Sequence, residues 1–259
     1  MSTNIINIII YSSLALNLIF SLILLTLLIS KGGWKYLTQK IWNFSNHQQL
    51  NYDNTFTPYY IHKSHQFEIL ANPHHQKIVL LGDSLTDEGE WVELLANPHV
   101  INRGISGDTT IRVWKRISAI IKIQPQQLFL MIGVNDLVNT NKSLTQITQD
   151  YRQLIQTITT QLPSTEIFLQ SIIPVNTTLA TFLRTRPRPQ VSQDILTLNQ
   201  NIQAIAQEFQ CEYLDIYSHL ADEHHQLLPE CTTDGIHLNG EGYKIWAGIL
   251  KQRIQNPSG

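Results

Sequence analysis

The stretch Lys77-Ile-Val-Leu-Leu-Gly82-Asp83-Ser84-Leu85-Thr86 decides how the rest of the chain is read. Its first five residues are a short, mostly apolar run that reads as a buried strand. Asp87-Glu88-Gly89-Glu90-Trp91 follows, polar and acidic, as the start of a helix is. Ser84 therefore stands where a core strand ends and the chain turns toward a helix. In an open α/β sheet that end of a strand faces the ligand crevice, where a serine can present its hydroxyl to a substrate. Taken alone, Gly82-Asp83-Ser84 is equally the sequence of a turn with a serine helix cap. What lies downstream separates the two readings.

Downstream, short apolar runs alternate with helical periodicity. Val100-Ile101-Asn102 predicts a second strand, Leu128–Ile132 a third, Glu166–Ile172 a fourth and Tyr213–Asp215 a fifth. Between them Ile111, Trp114, Ile117, Ile120 and Ile121 recur at helical spacing. Ile147, Tyr151, Leu154, Ile155, Ile158 and Leu162 do the same, as do Val191, Ile195, Leu198, Ile202, Ile205 and Phe209. A last helix carries Tyr243, Trp246, Ala247 and Leu250 on one face. Strands alternating with helices predict an α/β protein with a parallel sheet covered on both faces, a three-layer α/β/α sandwich with right-handed crossovers. No GxGxxG or GxxxxGK[ST] follows the first strand, so neither a dinucleotide nor a phosphate cradle is indicated.

The 259 residues suffice for one domain of about 200 residues plus an appendage. The formal net charge is −2 and the domain shows no basic stripe, which argues against nucleic acid as a partner. Cys211 and Cys231 make no disulfide framework; they are either free thiols or one pair. CxxC and HExxH are absent, so no zinc site is legible, and His74-His75 and His224-His225 read as exposed loop residues.

Residues 1–30 hold no Asp, Glu, Lys or Arg, and Ile5 to Ile29 is predominantly apolar. That run exceeds the roughly 20 residues needed to span a bilayer as a helix. It lacks the basic start and short apolar core of a cleaved signal. The expectation is a retained single-pass anchor over 1–30, touching membrane through residues 5–29. A juxtamembrane linker over 31–76 and a domain over 77–259 follow. Trp34, Tyr36 and Trp42 are placed as interfacial aromatics, and Lys31, Lys35 and Lys40 after the helix put the domain on the cytoplasmic side. Asn46 to His75 is rich in Asn, His, Gln and Tyr without a clear period, and reads as linker partly packed on the domain. Phe182-Leu-Arg-Thr-Arg-Pro-Arg-Pro189 is a loop after the fourth strand; it is either a solvated excursion or a rim that attracts an anionic group.

Four polar or glycine sites fall just after predicted strands: Ser84, then Asn102 to Asp108, then Gly133-Val-Asn135-Asp136, and finally Asp234-Gly-Ile-His237. In a doubly wound sheet they converge on one edge. That brings together a nucleophile, an Asp–His pair, a backbone amide at a glycine and a carboxamide donor, which are the parts of acyl transfer. Each part has a plain alternative: Asn135 could cap a segment, and Gly104 and Gly107 could serve turns with φ > 0.

With these blocks in this order, the chain from about 77 to 250 resembles the SGNH (GDSL-type) hydrolases, a family of lipases and acylhydrolases. The matching residues are Gly82-Asp83-Ser84-Leu85, Gly107 within Ile105–Asp108, Gly133-x-Asn135-Asp136 and Asp234-x-x-His237. The resemblance implies a five-stranded parallel flavodoxin-like sheet in the order 2-1-3-4-5. It implies Ser84 as nucleophile, His237 as the base that takes its proton, and Asp234 as the group that orients His237. The implied oxyanion donors are the amides of Ser84 and Gly107 and the side chain of Asn135, and the resemblance implies no metal or organic cofactor. The expected protein is then a membrane-anchored serine esterase, forming an acyl-enzyme on Ser84 from carboxylic, thio- or lysophospholipid esters. An O-acetyl esterase or acyltransferase acting on a glycan is the alternative, and a non-catalytic tethered binding module the third reading. Nothing in the sequence speaks to oligomeric state.

Overall fold

The computed structural model describes residues 56–73, 77–181, Leu183 and 189–254, with scattered positions between Tyr11 and Thr26. Residues 1–51 and 52–259 are two separate compact units. In the second unit, β1 (Ile78–Gly82), β2 (Val100–Gly104), β3 (Gln127–Met131), β4 (Glu166–Gln170) and β5 (Glu212–Leu214) form one sheet in the order β2-β1-β3-β4-β5. Every pairing is parallel, and the order is the one the resemblance implies. β1 is buried throughout because it pairs on both sides; Gly82 at its carboxyl end stands beside Gly104 of β2 and Met131 of β3.

The two-residue period of the strands divides their side chains between two cores. Val79, Leu81, Leu128, Leu130, Ile167 and Leu169 join one core. Ile78, Leu80, Phe129, Met131 and Phe168 join the other, where the Phe129 and Phe168 rings stack at 4.3 Å. Helices α4 (Thr110–Lys115), α5 (Ile117–Ile123), α6 (Val134–Asn139), α7 (Leu144–Gln161) and α8 (Val191–Glu208) bury residues in the first core. Helices α3 (Trp91–Leu95), α9 (Tyr217–Leu220) and α10 (Gly240–Lys251) contribute to the second. In α7 the buried residues Ile147, Tyr151, Leu154, Ile155 and Ile158 are the apolar stripe read from sequence. A capping box of Ser143 and Gln146 satisfies its first amides. Burial of each such aliphatic side chain contributes roughly 1.5–3 kcal/mol. α10 buries Tyr243, Trp246, Ala247 and Leu250, and its Trp246 indole donates to Gln170 Oε1 at 2.6 Å.

Four expectations are refined by this description or fall outside it. The stripe Ile111–Ile121 is not one helix: the chain breaks at Arg116, and the buried side chains are Arg112, Val113, Arg116, Ile117 and Ile120, with Trp114 exposed. Two arginines take inward positions there because they have buried carbonyl and carboxylate partners. The linker expected over 31–76 contains a helix, α1 (Pro58–Ile69), capped by Thr57, with Tyr60 and Phe67 in the first core. Only two of its twelve residues are buried, which is too few to write an apolar period in the sequence. Of the apolar run 5–29, only Tyr11, Ser13, residues 16–18, Phe20 and Thr26 are described, all helical and exposed; the rest of the expected anchor lies outside the described residues. Among the described residues, no helix is long and apolar enough to cross a membrane. Phe182 and residues 184–188 of the Arg/Pro loop are likewise outside them. Cys211 and Cys231 are free thiols.

Candidate active site

Ser84 opens α2 (Ser84–Asp87), a single turn that begins directly after β1 and the capping residue Asp83. The turn can follow the strand so tightly because of two glycines. A Cβ on Gly82 would lie 2.4 Å from the Met131 carbonyl, and one on Gly104 would lie 2.2 Å from the Asp87 amide. Gly104 thus serves close approach inside β2 and does not sit at positive φ, as a turn glycine would. The turn is held from three sides. Tyr243 OH donates to Leu85 O at 2.8 Å, Trp91 Nε1 to Thr86 O at 2.7 Å, and Asn102 Nδ2 to Thr86 O at 2.8 Å and Asp87 O at 3.0 Å. Trp91 is wedged edge-on against Trp246 and Tyr243, so α3 and α10 fix one wall of the turn.

Asp234 and His237 arrive from the loop between a short 3₁₀ turn (Pro229–Cys231) and α10. Asp234 Oδ1 accepts the amides of Ile236 and His237 at 2.9 and 2.8 Å, which folds the loop on itself. Gly235, at φ +84°, lets Asn176 close over it; Asn176 N donates to Gly235 O at 2.8 Å. The result is a relay: His237 Nδ1 lies 2.7 Å from Asp234 Oδ2, and His237 Nε2 lies 3.0 Å from Ser84 Oγ. Burial pulls the Asp234 carboxyl upward, but the bonds from His237 and from the Ile236 and His237 amides outweigh it and hold it below the usual carboxylate range. Ser84 is buried, whereas the His237 and Asp234 side chains are 36% and 51% exposed. Glu88 Oε1 stands 4.0 Å from His237 Nε2 at the open side.

The remaining sequence-predicted residues meet at the same edge. Asp108 N donates to Ile105 O at 3.1 Å and Gly107 sits at φ +81°, the left-handed third position that a type II turn requires. Arg112 Nη1 donates to Gly107 O at 3.3 Å, which orients that peptide. Asn135 lies in α6 just past Gly133, whose φ of +133° bends the chain off β3. Its Nδ2 donates to Asp108 O at 3.0 Å, and its Oδ1 accepts Asn139 Nδ2 at 2.8 Å. That second bond leaves the amide group one way round, with nitrogen toward Asp108.

Beneath this edge the sequence blocks contained Asp108 and Asp136 without a role, and did not reach their partners Thr110 and Arg116. Asp136 Oδ2 accepts both the amide and the hydroxyl of Thr110, at 2.9 and 3.1 Å, so α4 and α6 are tied together behind the site. Asp108 pairs with Arg116 at 2.8 Å, and Arg116 Nη2 reaches Gly82 O at 3.1 Å. Burial pushes Asp83 and Asp136 up to about 7 and Asp108 to about 6, against the hydrogen bonds and positive charge that favour their ionised forms. The i, i+4 spacing of Asn135 and Asn139 was a usable signal. The Arg116 contacts had none, since they depend on where α4 breaks. Among the described residues, no three His, Cys, Asp or Glu side chains converge in a way that could hold a metal ion.

The platelet-activating factor acetylhydrolase IB subunit alpha2 of Homo sapiens is 27% identical over 103 residues, a match spanning 38% of this chain and 44% of that protein. A GDSL-like lipase from Bacteroides thetaiotaomicron superposes with a TM-score of 0.65 at 25% identity, over 78% of this chain and 97% of its own. An acetylxylan esterase from Geobacillus stearothermophilus shares the fold, with a TM-score of 0.57 at 19% identity over 71% and 95%. Residues 80–245, which carry the turn of Ser84, the turn of Gly107, Asn135 and the Asp234–His237 loop, match the GDSL-like Lipase/Acylhydrolase family. The match to the acetylhydrolase subunit spans less than half of that protein's length, and the chain belongs to the GDSL-like Lipase/Acylhydrolase family.

Proposed function

We propose that the enzyme cleaves short-acyl esters through an acyl-enzyme on Ser84, and that residues 5–29 tether it to a membrane with the catalytic domain on the cytoplasmic side. The relay from Asp234 through His237 to Ser84, at 2.7 and 3.0 Å, is the observation that carries the reaction. Ser84 Oγ attacks the ester carbonyl carbon while His237 Nε2 takes its proton. Asp234 stabilises the resulting imidazolium and keeps its tautomer. The carbonyl oxygen, now an anion, is met by the amides of Ser84 and Gly107 and by Asn135 Nδ2; each such donor contributes about 3–4 kcal/mol in the transition state. Collapse expels the alcohol, which takes the proton back from His237. Water then repeats the sequence and releases the acid.

The exposure of His237 and Asp234 leaves room for a bulky alcohol. The name of one relative, an acetylhydrolase, supports a short acyl group. A panel of p-nitrophenyl esters from acetate to palmitate, run beside a lysophospholipid and an acetylated sugar, tests the substrate class. Fastest turnover of acetate supports the proposal, and fastest turnover of palmitate or the lysophospholipid overturns it. Ser84→Ala should abolish hydrolysis with the fold intact. Retention of more than a few per cent of activity in a folded variant would remove Ser84 from its role.

A further inference from the structure

We propose that Asp87 is a positioning residue, braced by helix α1, that keeps the nucleophile turn and the oxyanion turn in one fixed relation. The inference rests on Ser84 being the nucleophile. Asp87 closes the single turn that Ser84 opens, and its amide donates to Asp83 O at 2.9 Å. Its carboxylate takes four bonds from two other segments. Oδ2 accepts the Ser106 amide at 3.1 Å, the Ser106 hydroxyl at 3.0 Å and the Tyr59 hydroxyl at 2.6 Å. Oδ1 pairs with Lys63 Nζ at 3.0 Å. Ser106 immediately precedes Gly107, so one side chain spans from the nucleophile turn to the peptide that offers an oxyanion donor.

Tyr59 and Lys63 lie one turn apart on α1, and the Asp87 side chain between them and Ser106 is only 5% exposed. Burial acts to raise the Asp87 carboxyl, but the bonds from Tyr59, Lys63 and Ser106 prevail and bring it below the usual carboxylate range. It is therefore held as an anion accepting charge-assisted bonds, the stronger kind. α1 touches the oxyanion turn by a second route as well. Its Tyr60 hydroxyl donates to Arg112 O at 3.0 Å, and Arg112 in turn donates to Gly107 O. Phe67, one helical turn beyond Lys63, is buried with the Arg103 guanidinium 4.7 Å from its ring centre and fixes the far end of the helix. α1 lies ahead of residues 80–245, so this brace is an addition to the part of the chain that matches the family. Small displacements of catalytic groups are expensive: about 1 Å can cost about a hundredfold in rate. A slackened brace should accordingly lower kcat and leave KM alone.

The test uses the full-length enzyme with p-nitrophenyl acetate and a fluorophosphonate probe. In the double variant Tyr59→Phe, Lys63→Met, kcat should fall about tenfold per titrated active site while KM stays within about twofold. The rate of fluorophosphonate labelling should fall by the same factor. Lys63→Arg, which keeps the charge, should recover most of the rate, and Asp87→Asn should match or exceed the double variant. A folded double variant whose kcat and labelling rate per active site stay within about twofold of the unmodified enzyme overturns the brace. So does a loss that appears only as fewer active sites, since that is a folding effect. Mass spectrometry of the labelled peptide separates the two layers. Label on a residue other than Ser84 in the unmodified enzyme overturns the nucleophile assignment, whereas label on Ser84 with unchanged variant rates overturns the brace alone.

Discussion

Asn135 has its carboxamide oriented twice, by the bond it donates to Asp108 O and the bond it accepts from Asn139. The first residue, as the proposed oxyanion donor, should matter far more than the second. Asn135→Ala should lower kcat by about 10²–10³ with little change in KM, because the oxyanion exists only along the reaction path. Asn139→Ala should give a smaller loss of the same kind, from an amide that can flip; an Asn139→Ala variant that raises KM alone would place it in substrate binding. Asp136 poses a different question. Burial raises its carboxyl from 3.8 to about 7, with its bonds to Thr110 opposing the change. The native state therefore holds this proton to higher pH than the unfolded chain does. The stability linked to it is complete below about pH 4 and declines as pH rises toward 7. An asparagine at this position would not titrate, so Asp136→Asn should gain stability relative to the parent between pH 4.5 and pH 8. Denaturant midpoints at those two pH values check this; a difference that stays constant with pH would show that Asp136 titrates as an ordinary carboxylate.

At the scale of elements, the site depends on strands ending in glycine so that a helical turn can fold back over them. Gly104→Ala places a Cβ where the Asp87 amide already sits, and backbone cannot yield as a flexible side chain can. Overpacking of this kind typically costs about 1–3 kcal/mol. The expected outcome is a lower denaturation midpoint together with reduced kcat, since the displaced atoms belong to the turn that carries Ser84. A variant with a normal midpoint and normal kcat would show that β2 can withdraw from the turn at no cost. The break between α4 and α5 at Arg116 belongs to the same scale. Continuing the helix would turn Arg116 away from Asp108 and Gly82, leaving a buried carboxylate unpaired, which costs more than the lost helical bonds.

For the whole molecule, the separation of residues 1–51 from 52–259 makes two truncations informative. A chain beginning near Asn46 keeps α1 and should be soluble, hydrolysing a short ester at close to the full-length rate. A chain beginning at Lys77 loses the buried Tyr60 and Phe67 and the partners of Asp87, so it should be less stable and slower. Equal activity of the two would make α1 dispensable. The proposed tether is checked on the full-length protein, which should remain in the membrane fraction through carbonate washing; its release would argue against a spanning helix over 5–29.

By itself the sequence determined the layered fold, because the short apolar runs of the strands and the 3.6-residue stripes of α7, α8 and α10 are written locally in side-chain polarity. It also marked Ser84, Gly107, Asn135, Asp234 and His237, since each follows a strand or precedes a helix in a fold whose strand ends converge. Only the tertiary structure decided what holds those residues. Helix α1 has too few buried residues to announce itself. Asp87 reads as one more acidic residue in a first turn, and Arg116 as a polar interruption. Each acts through partners up to 52 positions away, at distances set by how β1, β2 and α1 pack. A local pattern reports which face of an element is buried, but not which atoms from distant segments arrive there.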